Sequence, residues 1–179
     1  MKLYLVNYRH KDSIPCKSIT ELPLEAAKKL AEKLHADGSC RAHRRFGASF
    51  EHYYEDRCKA EEWMYDAFCK QGGTPEKKHP LYFTVQPSEV LSENYGEHCV
   101  IQIDLDEIAD GDISFTLGDS MALYYTEKLC QMYTKNDLLK KLELYDNDVD
   151  MMLKKNDEQA VFIEAQIWND KYLKDFIKE

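Results

Sequence analysis

The chain has 179 residues, 44% of them hydrophobic and 32% charged, and a formal net charge of −9. That length suits one domain with a real core, and no apolar run approaches the length of a membrane span. The acidic balance argues against tight non-specific binding to nucleic acid, which needs clustered Lys and Arg to displace counterions, although Arg41-Ala-His-Arg-Arg45 is a local basic site.

Leu3 to Val6 reads as a short first strand, and Tyr8 to Pro15 as a polar loop. Ser18-Ile-Thr-Glu21 has the capping-box spacing, and Pro23 follows as a first-turn residue. The helix it opens runs to about His35, with Leu24, Ala27, Leu30, Ala31 and Leu34 as its apolar stripe, until Asp37-Gly38 stops it. After the basic linker Cys40 to Ser49, a long helix is expected from Phe50 to Lys70. Its apolar face is imperfect (Phe50, Tyr54, Cys58, Met64, Tyr65, Phe68, Cys69), and Gly72-Gly73 and Pro75 end it.

Short strands follow. Leu81 to Val85 is one, Pro87 to Asn94 supplies a helical turn or two closed near Gly96, and His98 to Leu105 is the next. Asp112 to Leu117 is another, broken by Gly118-Asp-Ser120, with Met121 to Tyr125 expected to continue it. Thr134 starts a helix with Asp137 three residues on. Val149 to Lys155 is a further helix, and a short terminal helix is expected around Tyr172 to Ile177. Strands and helices in this order give an α+β fold, and with no Pro/Gly/Ser-rich linker and no repeat the chain is one domain, 1–179.

The stretch Val161-Phe-Ile-Glu-Ala-Gln-Ile-Trp-Asn-Asp170 alternates with the period of a strand. Glu164 and Gln166 then point the same way, about 7 Å apart, between the rings of Phe162 and Trp168. Residue types alone favour an edge strand whose wet face carries these two side chains. The alternative is a shielded carboxylate acting as base or electrostatic clamp.

Several motifs fail. Asp146, Asp148 and Asp150 imitate a calcium loop, but Met151 stands where Gly is needed and Asp157 where a bidentate Glu should be. There is no Gly-rich phosphate loop and no nucleophile elbow. His79 and His98 lack a metal-ligand pattern and read as surface or cap histidines, so no metal is expected. Cys16, Cys40, Cys58, Cys69, Cys99 and Cys130 form no C-x-x-C pair. Met1 to Val6 is too short for a signal-peptide core, so reduced thiols in a cytoplasm-like compartment are expected.

Two polar clusters remain. Arg44-Arg-Phe-Gly with Tyr53, Tyr54 and Arg57 offers forks for phosphate or carboxylate and rings for stacking, against a solvated helix edge with its Tyr packed inward. Ser114 and Thr116, on one strand face before Gly118-Asp119-Ser120, are either polar site residues or an ordinary strand end.

The block His79-Pro-Leu-Tyr-Phe-Thr-Val-Gln-Pro-Ser-Glu-Val-Leu91 resembles the segment of the DarT-type DNA ADP-ribosyltransferases in which a Pro-Phe-Tyr-Phe strand leads into a Ser-Pro-Met-Leu-like helix. A hydrophobic strand follows in both, here Cys99 to Leu105. A small Asp/Gly/Asn-Ala element comes next, matched by Gly118-Asp-Ser-Met-Ala122, and Phe162 to Trp168 falls where that family has its catalytic-glutamate strand. The resemblance covers roughly residues 79–177 in short, degenerate motifs. The family's N-terminal His-containing strand motif has no clean counterpart in Tyr4-Leu-Val-Asn-Tyr-Arg-His10.

The resemblance implies split β-sheets, mixed or antiparallel, with flanking helices and NAD bound between them. It makes Glu164 the catalytic glutamate, stabilising an oxocarbenium-like ribose as nicotinamide leaves, with Gln166 assisting. Arg45 or Arg57 holds a phosphate, Tyr54 and Tyr82 stack on nicotinamide or adenine, and Ser114 and Thr116 stand where related transferases have a polar strand. It implies a bacterial or phage toxin or defence effector with a cognate inhibitor protein. The acceptor stays open among DNA, RNA, protein and a small molecule. Two other readings stay beside it, a glycohydrolase of NAD or a similar nucleotide and a non-catalytic interaction module.

Overall fold

The structure is a computed structural model that describes residues 2–96, 98–126, 132–155 and 160–176. Cys130, Asp157 and Ile177 lie outside the described residues. Six strands, β1 (Tyr4–His10), β2 (Leu81–Val85), β3 (His98–Asp104), β4 (Ile113–Leu117), β5 (Tyr133–Thr134) and β6 (Ile163–Ile167), form an antiparallel sheet in the order β3-β1-β2-β6-β4-β5. Helices α1 (Leu24–Asp37), α2 (Phe50–Lys70), α3 (Glu89–Tyr95), α4 (Ser120–Tyr125), α5 (Lys135–Glu143) and α6 (Val149–Lys155) flank it. The fold is α+β, as composition and element order lead one to expect.

The strands belong to one hydrogen-bonded sheet, where the resemblance implies two. Between β1 and β2 the pairing is short, only Leu5↔Val85 and Val6↔Thr84, as it is between β4 and the two-residue β5. By contrast β1 and β3 pair at seven positions, and β2 and β6 at four. Beyond Val6 the side chain of Asn7 takes over, its Nδ2 donating to the Tyr82 carbonyl at 2.7 Å. A β3-β1 wing thus diverges from a β2-β6-β4-β5 wing.

One sheet face is apolar. Leu5, Phe83, Ile103, Phe115, Ala165 and Ile167 share a core with Leu138 and Leu142 of α5 and Met152 of α6. The other face carries Tyr82, Thr84, Ser114, Thr116, Glu164 and Gln166 and is closed off by α2. Ala60, Met64 and Phe68 of α2 pack there with Met121 and Trp168. Burial of Met64 and Phe68 is each worth roughly 1.5–3 kcal/mol. On the outer side of α2, α1 sets Ala27, Ala31 and Leu34 against Phe46 and Phe50.

Three expectations change. The first strand runs to His10 rather than Val6, because β3, ninety residues away, supplies a continuous ladder from Tyr4↔Asp104 to His10↔His98. Met121 to Tyr125 is helical, not a continuation of β4. Gly118, at φ +93°, turns the chain, and Asp119 caps the new helix by accepting the Met121 N–H at 2.8 Å. The C-terminal segment makes two 3₁₀ turns, Asp170–Tyr172 and Lys174–Phe176, in place of a terminal helix. Elsewhere α1, α2, α3, α5 and α6 lie where the sequence puts them. A Cβ on Gly73 would sit 2.5 Å from the Phe68 ring, so the stop after α2 is steric as well as conformational.

Candidate functional site

A cleft of about 270 Å³ opens where β1 and β2 part. Its floor carries Glu164 of β6 and Tyr82 of β2, and its walls carry Arg9 of β1, Arg45 of the 3₁₀ segment Arg41–Phe46, and Arg57 of α2. Glu164 is 8% exposed, and β6 lies between β2 and β4, so the edge-strand reading of this segment is overturned. The expected wet face is a polar strand face roofed by a helix.

Oε1 of Glu164 accepts from Gln166 Nε2 at 3.1 Å and from the Ser120 backbone N–H at 3.4 Å. Burial, then the nearby Asp119 carboxylate, pushes the Glu164 carboxyl up to about 7, with Arg57 pulling the other way. The group therefore holds its proton to higher pH than an exposed glutamate does.

Arg57 is held from several sides. Its Nε donates to the fully buried Glu61 at 3.2 Å, its Nη1 lies 3.5 Å from Ser120 Oγ, and its guanidinium stacks 3.8 Å from the Tyr82 ring centroid. Glu61 also accepts from Tyr82 Oη at 2.9 Å and meets His79 Nδ1 at 2.7 Å. His79 is thus tied to a buried carboxylate rather than being a plain surface histidine.

Arg45 is less satisfied. It lies over the Phe46 and Tyr53 rings at 5.7 and 5.4 Å, yet its Nε is buried without a hydrogen-bond partner, and so is that of Arg9. No described carboxylate forms an ion pair with either guanidinium. Arg9, Lys17, Arg45 and Arg57 line the cleft against the two acidic side chains Asp119 and Glu164, which makes it cationic in an acidic protein. Orphaned buried donors are costly, and the positive charge that these side chains bring to the cleft suits an anion.

Of the residues singled out from sequence, Glu164, Arg45, Arg57 and Tyr82 line the cleft. Tyr54 does not. Its Oη donates to the Leu22 carbonyl at 2.7 Å and its ring packs on Phe50, so its neighbour Tyr53 faces the cleft instead. Ser114, Thr116 and Gln166 are fully buried behind Glu164, bonded to one another. Arg9, Tyr95 and Glu61 were not singled out, whereas Asp119, grouped by sequence with Ser114 and Thr116, lines the cleft. For Glu61 a signal existed: it falls on the stripe Arg57, Glu61, Met64, Phe68 that α2 buries, and a carboxylate on a buried stripe asks for partners.

Compared with family models, with curated proteins and with solved structures, the chain matches none. Among the described residues no helix is long and apolar enough to cross a membrane. His10, Asp12 and Asp37 bring three potential metal-ligand atoms within 4.8 Å of one another. However, His10 Nδ1 accepts the Asp12 N–H at 3.2 Å, so a neutral ring carries its proton on Nε2, facing Asp37 Oδ1 at 3.5 Å. That is a donor–acceptor pair, not a ligand set. His43, beside it, is held neutral: burial, then His10 and Arg45, lower its pKa to about 4.

Proposed function

We propose that the cleft binds NAD and that Glu164 serves transfer of its ADP-ribose to a macromolecular acceptor, nucleic acid or protein. The observation that carries this is a buried, proton-loving carboxylate on the floor of a cationic, aromatic-lined cleft. The guanidiniums of Arg45 and Arg9 bring positive charge to the cleft for a diphosphate, and Arg45 is the better phosphate partner because Arg57 is already committed to Glu61. The Tyr53 and Tyr82 rings offer flat surfaces to the bases.

In this reading the ionised Glu164 hydrogen-bonds a ribose hydroxyl and offsets the positive charge that develops on the ribose carbon as nicotinamide departs. It then takes the proton of the attacking acceptor. Water as acceptor gives glycohydrolysis by the same steps. A toxin or phage-defence role in a cytoplasm-like compartment, with a cognate inhibitor protein, belongs to the same proposal.

Calorimetry with NAD tests it. The wild-type protein should bind, and Arg45→Ala should weaken binding by about 10–100-fold, the worth of one charge-assisted contact. Absence of NAD binding by the wild type at millimolar concentration would end this reading and favour the interaction module.

A further inference from the structure

We propose that Trp168 and Ser114 are positioning residues for the cleft carboxylate, joined to it through Gln166 by hydrogen bonds that satisfy every buried donor in one amide orientation. The inference rests on the reading of Glu164 as the group that meets the ligand.

An indole N–H can only donate, and Trp168 Nε1 lies 2.8 Å from Ser114 Oγ. The hydroxyl accepts there and gives its single hydrogen to Gln166 Oε1, 2.9 Å away; with the amide turned over, that buried hydrogen would lose its acceptor. That choice fixes the carboxamide. Its oxygen faces Ser114, and its Nε2 donates to Thr116 Oγ1 at 3.2 Å and to Glu164 Oε1 at 3.1 Å. Thr116 closes the set by passing its own hydrogen to the Gly118 carbonyl at 3.1 Å.

Strand register makes the chain possible. Ser114 pairs with Gln166 and Thr116 with Glu164, so the four side chains stand in two adjacent cross-strand pairs on one face. Trp168, Ser114, Thr116 and Gln166 are all fully buried, so water cannot stand in for a missing member. Trp168 is itself clamped by α2, between Phe68 at 6.1 Å and Tyr65 at 6.0 Å. The orientation of the carboxylate is in this way anchored in the core.

The consequence falls on Glu164. With Gln166 Nε2 and the Ser120 N–H both on Oε1, the other oxygen is left for the cleft. A carboxamide free to turn would also present its oxygen to the carboxylate, setting lone pair against lone pair. The Trp168–Ser114 end removes that choice. The charged and titratable groups facing Glu164 are Asp119 before α4, Arg57 on α2 and Tyr82 on β2, and the chain does not alter them.

The test is carboxyl-carbon NMR titration of Glu164 in the free protein, with thermal unfolding to check each fold. In Ser114→Ala the amide loses its anchor, and the Glu164 midpoint should rise by about one pH unit. Trp168→Phe, which keeps a ring in the core, should raise it by roughly half as much. Ser114→Thr, which keeps the hydroxyl, should hold the wild-type value. A folded Ser114→Ala with an unmoved midpoint would overturn the proposal. If the variants do not fold, the wild type still decides: the Trp168 indole N–H resonance must shift with the Glu164 midpoint while that of the half-exposed Trp63 does not, and an indole signal indifferent to that titration contradicts the chain. None of these readings needs NAD, so failure of NAD binding would strike the dinucleotide reading alone.

Discussion

The β4–β6 strand pair carries a buried carboxylate at each end. At one end Asp112 is 5% exposed and saturated: Lys171 Nζ and Tyr172 Oη both reach Oδ2 at 2.6 Å, and Asn169 Nδ2 reaches Oδ1 at 3.2 Å. Burial opposes its ionisation, but the hydrogen bonds from Lys171, Tyr172 and Asn169 outweigh it and hold the carboxyl below its ordinary range. At the other end Glu164 is 8% exposed and receives two N–H donors, at 3.1 and 3.4 Å, on a single oxygen, with Asp119 nearby, and its carboxyl rises to about 7. Depth is nearly the same and the consequence is opposite. Partners, not burial, separate a structural staple from a reactive group, and only the under-partnered carboxylate faces a cleft.

The staple should break hardest. Asp112→Ala strands Lys171, Tyr172 and Asn169 and should cost roughly 3 kcal/mol in urea unfolding, with an unchanged m value. The Lys171 side chain is half-exposed and recovers some solvation, which keeps the loss below that of a fully buried pair.

The pH dependence of stability should then run in opposite senses. Asp112, with its folded pKa below the unfolded value near 3.8, contributes stability that is present above that value and lost as pH falls through the folded pKa. Glu164, with its folded pKa near 7 against 4.5 unfolded, contributes stability that is full below 4.5 and lost as pH rises to about 7. Glu164→Gln should abolish the second limb and make the protein more stable than wild type at pH 8, by roughly 2 kcal/mol, in parallel pH series of denaturant midpoints. A smaller effect sharpens the line between cleft and scaffold. Tyr54→Phe loses the bond to the Leu22 carbonyl, about 1 kcal/mol, and should leave NAD affinity unchanged by calorimetry.

Much of the scaffold was legible because it is written locally. Thr134 caps α5 by accepting the Asp137 N–H at 3.2 Å, Ser88 caps α3 from 3.4 Å, and the alternation of residues 161–168 gives β6 and its two faces. What was not legible depends on distant neighbours. Nothing in Phe162 to Trp168 says that β2 and β4 flank the strand and that α2 roofs it, which turns a wet face into a buried network. Tyr8 to His10 look like loop because their partners lie on β3. The exchange of Tyr53 for Tyr54 at the cleft is one helical residue, about 100° of rotation, and the sequence of α2 does not set that rotation to better than one position. Its three buried charged residues, Asp56, Arg57 and Glu61, obscure the stripe that would have done so.

The most direct test of the Glu164 reading is nicotinamide release at pH 8 with NAD saturating, wild type against Glu164→Gln. Glutamine keeps the acceptor for Gln166 and Ser120 but cannot ionise. The wild type should release nicotinamide steadily, with a roughly 10²–10³-fold lower rate in the variant and NAD affinity within a few-fold of wild type. Equal release by the two proteins would contradict that reading, because the carboxylate at the floor of the cleft would then have no part in the chemistry.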